Sequence, residues 1–238
     1  MQAFIMSAIL LLSLLGASGA TARQDDVRRY LDPKLVPAEG RTARDFVPRG
    51  WKLEGDEGET RGDLNNDGTP DAVLRLVEDL PAEAADGTFN TRYRALVIIL
   101  ARAGGGFKRA AVAAKILGCT LCAGVLGDPA GGNIQIEIKK GVLNVNQLSG
   151  SREATDLTQR FRYDAASARF LFIGEDVNDY DRLNGASTTT STNYLTGVRV
   201  TKKTGPARGR RDPALVSNKT ARVPVARRFI EDIDYERQ

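Results

Sequence analysis

The apolar residues of this chain come in short runs, each closed by glycine, aspartate or asparagine, and that punctuation restricts the fold more than any other feature. "RYRALVIILA" (92–101) reads as a buried strand, and "GGG" (104–106) turns it into "FKRAAVAAKIL", a returning strand or short helix. Ile134, Ile136 and Ile138 alternate with Gln135 and Glu137, which marks a half-buried strand. Lys140-Gly141 turns that strand into "VLNVNQL", a hairpin; "TQRFRY" and "RFLFIGE" flank "DAASA" as a second hairpin. "STTTSTNYLTGVRVTKK" (187–203) is Thr-rich and β-prone. The expected fold is mostly β: a compact antiparallel β-domain, built as a sandwich or as partial propeller-like sheets.

A chain of 238 residues suits one globular domain with small appendages. Residues 1–22 carry no charge, Ile9 to Leu15 are apolar apart from Ser13, and Ala20-Thr21-Ala22 has the small-x-small form of a cleavage site. This predicts a signal peptide, although no Lys or Arg precedes the apolar run, and so a periplasmic or secreted protein. The run is shorter than the ~20 residues a bilayer span needs. No later segment is apolar enough to span, so no transmembrane segment is expected after signal removal. An N-terminal extension (23–44) with a helical hint in "DDVRRYL" precedes the β-domain (45–204). A flexible basic linker (205–222) follows, and 223–238 is expected to dock as a strand or tail through Val223, Val225, Phe229 and Ile233.

The chain has no histidine, which removes Ser-His-Asp and Cys-His catalysis, histidine bases and histidine metal sites. The net charge of +4 is concentrated in the tail, where Arg208, Arg210 and Arg211 are candidate anion-binding residues. Nucleic acid is disfavoured as their partner, because no aromatic residues are interleaved and an exported protein rarely meets DNA. A solvated arm is the plainer reading of the same charges.

"GDLNNDGTPDAVLRL" (62–76) gathers like charge at the mouth of a strand. Counting from Asp63, positions one, three, five and nine are Asp63, Asn65, Asp67 and Asp71, with Gly68 at six and Thr69 at seven. This is the D-x-N-x-D-G-x-x-D spacing of a calcium loop. Alternate short oxygen donors point inward, Gly68 permits the bend, and Thr69 can offer its carbonyl. Two carboxylates ~5 Å apart repel by roughly 0.8 kcal/mol in water and ~3 kcal/mol at an effective dielectric of 20. A divalent cation reverses the sign of that term, so Ca2+ is the expected cofactor. Position twelve is Leu74 where an EF-hand has glutamate, and the flanks read as strands, so no calcium-triggered opening is expected. The alternative is a solvated turn whose Asp63 and Asn65 merely accept backbone amides.

The segment from Trp51 to Phe107 resembles one FG-GAP or VCBS-type β-repeat. The resemblance implies a strand–loop–strand holding calcium through Asp63, Asn65, Asp67, the Thr69 carbonyl and Asp71. "FVPRGWKLEG…GDLNNDGTPDAVL", "GDP", "RFRYD", "LFIGED", "TSTNYLTG" and "EDIDYE" further resemble, in order, an uncharacterised family of exported bacterial proteins. That family lends no activity. A propeller needs several blades and the sequence holds one such motif, so a compact β-domain with one calcium staple is expected.

Cys119 and Cys122 form a C-x-x-C. In an oxidising compartment its default is a disulfide closing a tight loop. Thiol redox chemistry would need a helix start after the first cysteine, and Gly118, Gly124 and Gly127 argue for a turn instead. Two cysteines without histidine do not complete a zinc site. The functional expectation is an exported, calcium-stabilised, non-catalytic module that binds an envelope protein or polysaccharide. The alternatives are a carboxylate-dependent hydrolase of envelope polysaccharide and a C-x-x-C thiol oxidoreductase.

Overall fold

The structure, a computed structural model, describes residues 30–56, 58–207, 209 and 213–237. The expected signal peptide and most of "DDVRRYL" lie outside the described residues, as do Arg208, Arg210 and Arg211. The fold is mostly β, with every strand pairing antiparallel and one sheet curled into a half-barrel.

The first sheet contains β1 (Glu39–Gly40), β2 (Trp51–Leu53), β3 (Glu59–Gly62), β4 (Asp71–Glu78), β5 (Arg94–Ala101) and β6 (Phe107–Ala113). Its order is β1-β6-β5-β4-β2, and β3 pairs with the start of β4 where β2 pairs with its end. β4 and β5 are buried almost throughout, which explains why their sequences lack an apolar–polar alternation. Val73, Leu96, Ile98 and Leu100 face the second sheet. Ala72, Leu74, Leu76, Val97 and Ile99 face the opposite way, under Leu31, Val36, Ala43 and Phe46.

That cover comes largely from residues N-terminal to position 45. Leu31, Val36 and Ala43 are at most 5% exposed, so the segment expected as an N-terminal extension contributes these three side chains to the core. The segment is invisible to strand periodicity because it lies across the sheet as two 3-10 turns, Pro33–Leu35 and Ala43–Phe46.

The second sheet contains β7 (Ile134–Lys139), β8 (Val142–Gly150), β9 (Glu153–Asp164), β10 (Arg169–Asp181), β11 (Ser187–Asn193), β12 (Val198–Thr204) and β13 (Leu215–Arg222). It is a meander in which each strand pairs with its neighbours in sequence. Ile134, Leu143, Val145, Phe161, Phe170 and Phe172 close the core against the first sheet. One register row crosses the inner face from Ile134 through Gln147, Leu157, Val177, Thr190 and Thr201 to Lys219. The inner face is therefore apolar at the β7–β9 end and polar from β11 onward. A bulge between Phe172 and Gly174 marks where the sheet starts to leave the core.

The tail carries one strand and two 3-10 turns. Residues 215–222, read as linker, form the edge strand β13, paired along β12 from Val198↔Arg222 to Thr204↔Leu215. Its residues are mostly exposed, so its composition resembles a loop while ladder hydrogen bonds hold it in place. The last segment docks as a tail, through a single bridge, Leu171↔Phe229, and the 3-10 turns Ile230–Asp232 and Tyr235–Arg237. Ile230 and Ile233 are buried, whereas Val225 is 60% exposed.

Candidate functional site

The acidic loop closes the β3–β4 hairpin, with Gly62 and Asp71 as the last register pair. All five predicted positions are thus carried on one strand–loop–strand. Leu64 is fully buried and anchors the loop in the core between the two sheets. Asn66 (φ 60°) and Gly68 (φ 83°) supply the two left-handed residues the tight path requires, and both types tolerate that region. The loop also abuts the second sheet: a Cβ at Gly141 would meet the Asn66 side-chain oxygen at 2.7 Å.

Each carboxylate engages backbone amides. Asp63 accepts from the Asp67 N–H (3.1 Å) and the Gly68 N–H (2.9 Å). Asp67 accepts from the Thr69 N–H (2.8 Å) and the Asn65 amide (2.8 Å). Asn65 Oδ1 accepts from the Asp67 N–H at 3.0 Å. Asp71 accepts from the Leu64 N–H (2.9 Å) and the Ala101 N–H (2.8 Å), which ties the loop to the end of β5. The Asn65 side chain and the Thr69 amide hold Asp67 below the usual carboxylate range. Burial pushes Asp71 up against the opposing pull of its two amides, and the charges of Asp67 and Asp63 push the same way. Among the described residues no Lys or Arg forms an ion pair with any of the three.

Among the described residues, no group of three or more His, Cys, Asp or Glu side chains is arranged to hold a metal ion. The donor chemistry nevertheless fits a hard cation. An ionised carboxylate offers about four lone-pair sites, so the oxygens that each accept one amide keep acceptor capacity. Asn65 and the Thr69 carbonyl would be neutral oxygen donors in the same loop.

Cys119 and Cys122 are joined in a disulfide, with Cα atoms 4.9 Å apart. Cys119 is buried and Cys122 exposed. The pair sits in a turn after β6, followed by the 3-10 turn Gly124–Leu126, and not at the start of an α-helix.

A buried charge cluster escaped the sequence reading. Glu54 is 3% exposed and pairs with Arg94 Nε at 2.7 Å. Arg75 Nε lies 3.2 Å from Glu54 Oε2, close enough for charge pairing but too poorly aligned for a hydrogen bond. The guanidiniums also donate to backbone carbonyls: Arg94 to Cys119 (3.1 Å) and Asp128 (2.9 Å), Arg75 to Ile134 (2.8 Å), and Arg92 to Pro129 (2.9 Å). First-sheet arginines thereby fix the chain that leads into β7. The available signal was Arg75 inside "AVLRLV": a charge in the middle of a buried strand requires a buried partner.

Two grooves, of about 640 and 600 Å3, share Thr155 and Asp179 on the inner face of the curled sheet. Glu175 and Asp179 lie four residues apart on β10, so their backbones are separated by ~13 Å. Glu153 and Asp181 face each other across β9 and β10. Both Asp181 oxygens are occupied: Oδ2 accepts from Arg152 Nη2 (2.7 Å) and Asn184 (3.0 Å), and Oδ1 from the Leu183 N–H (2.8 Å). These bonds, led by Arg152, hold Asp181 below the usual carboxylate range and fix the β10–β11 turn.

Comparison of the chain with family models, with curated proteins and with solved structures finds no match in any of the three.

Proposed function

We propose that the chain is an exported β-domain, stabilised by one calcium ion, that serves the envelope or extracellular space as a non-catalytic binding module. The observation that carries the metal reading is Asp71: a buried carboxylate beside two further carboxylates, with no cationic side chain paired to any of them among the described residues. Burying such a group costs free energy unless a positive charge or a full set of donors compensates it. Asp63, Asn65, Asp67, the Thr69 carbonyl and Asp71 would hold the ion. Its charge would link β3, β4 and β5 through the bonds Asp71 already makes. The resemblance to an FG-GAP or VCBS-type repeat supports the same ligand set. Export rests on the signal-like residues 1–22 and on the disulfide, which suits an oxidising compartment.

Binding without catalysis is favoured by the groove carboxylates. Asp179 already accepts from the Thr155 hydroxyl and Glu175 from the Tyr194 hydroxyl, so each serves as an oriented acceptor. Asp181, whose cross-strand neighbour is Glu153, is engaged in holding a turn. Calorimetric titration of the mature protein with calcium tests the metal. Saturable heat is expected, with a gain of ~2.7 kcal/mol at one hundred times the dissociation constant. Asp67→Ala is expected to abolish the gain. No heat, together with a melting temperature indifferent to chelator, would refute the reading.

A further inference from the structure

The inner face of the curled sheet carries a trough that sequence patterns did not single out. It starts beside the C-terminal segment, where Tyr194, Tyr235, Arg228 and Glu175 line the first groove. It continues past Thr155 and Asp179 into the second groove, where Thr188 and Lys203 lie. The register row Ser149, Thr155, Asp179, Thr188 and Lys203 runs along its floor from β8 to β12. Four inter-strand steps give it a length of about 19 Å.

We propose that this trough binds an extended oligosaccharide, an inference that rests on the binding-module reading above and names its ligand class. The lining combines hydroxyls, carboxylates and Lys203, and two hydroxyl–carboxylate pairs within it are already oriented. Thr155 donates to Asp179 Oδ1 at 2.6 Å, and the Tyr194 hydroxyl donates to Glu175 Oε1 at 2.6 Å. Each carboxylate keeps open acceptor sites for ligand hydroxyls, and Arg228 supplies donors. Tyr194 packs against Phe172 with ring centroids 4.8 Å apart, and the Tyr235 ring lies against the backbone of Gly118. Both rings are held, and each offers an apolar body with a polar tip. A polyol, which both donates and accepts along an apolar ring face, matches this mixture.

Other polymers match it less well. A peptide added as a strand needs a free sheet edge, whereas β8 to β12 are interior strands whose ladder groups are paired. A nucleic acid would bring phosphates onto the carboxylates of Glu153, Glu175 and Asp179.

The test is an amide chemical-shift titration of the mature chain. The probes are tetrasaccharides of β-1,4-linked N-acetylglucosamine, β-1,4-linked glucose and α-1,4-linked glucose, with an unstructured tetrapeptide as the competing class. At least one saccharide is expected to give saturable shifts confined to the trough. Asp179→Asn and Thr155→Val are each expected to weaken it by about tenfold, as for loss of one hydrogen bond to a charged group. Asn144→Ala, on the outer face, is expected to leave it unchanged. No saturable shift with any saccharide, shifts confined to the outer face, or saturation by the tetrapeptide alone would each overturn the proposal. The wild-type map decides even if a variant fails to fold. Running every titration with calcium and with chelator separates the two readings. Calcium stabilisation without saccharide shifts defeats the trough alone, and trough shifts without a calcium effect defeat the metal alone.

Discussion

The two sheets solve opposite problems with the same antiparallel ladder. The first is covered on both faces, and its central strands are buried along almost their whole length. The second is covered only from β7 to β10, and beyond that its inner face carries Thr190, Thr201 and Lys219 where the first sheet carries Ile and Val. Charges follow the same division. The first sheet buries a charge cluster around Glu54 and keeps pairs such as Lys52–Asp79 exposed at its margin, while the charges of the second are half-buried or exposed, as with Arg152 and Asp181. Burial therefore decides what each residue type is worth, and the comparison can be pressed by substitution.

The largest difference is expected at the buried charges. Glu54→Ala leaves Arg94 and Arg75 without their counter-charge and is expected to cost about 3–5 kcal/mol in urea unfolding. Arg152→Ala, which breaks an exposed pair, is expected to cost at most about 1 kcal/mol. Equal losses would break the comparison. Next come the apolar positions: Ile98→Ala, fully buried, is expected to cost about 2–5 kcal/mol, and Thr190→Ala on the curled sheet within about 1 kcal/mol.

The smallest effect is a pH dependence at Tyr194. Burial, and then the hydrogen bond to Glu175, raise its phenol to about 12 from 10.0. The fold prefers the neutral form, so this contribution is complete below pH 10 and is lost as pH rises through about 12. Urea midpoints of wild type and Tyr194→Phe, compared across that window, are expected to converge as pH rises. A constant gap would show that the phenol does not ionise with unfolding.

The same contrast explains what the sequence made legible. Alternation at Ile134, Ile136 and Ile138 and the turn at Lys140-Gly141 locate β7 and β8, because a one-sided strand writes its burial into period two. The acidic loop is legible as a strand–loop–strand because its spacing is local. β13 is hidden because an exposed edge strand has no apolar face to display; its Lys219 and Arg222 suit an edge that discourages further pairing. The Glu54 cluster is hidden because its members come from residues 54, 75, 92 and 94, and only tertiary packing brings them together. The trough is hidden for the same reason, as Thr155, Asp179 and Thr188 are neighbours only through register.

The nearest-neighbour order of the curled sheet bears on how the chain acquires its structure. Ladders β7–β8 through β11–β12 each close across a short turn, so hairpins can be added one after another at little closure entropy. β1 instead reaches β6 through Glu39↔Lys108, across most of the intervening first sheet. Contacts that distant in sequence slow folding. The zipper-like half can therefore assemble on its own schedule, while the doubly covered half waits for its two margins to meet.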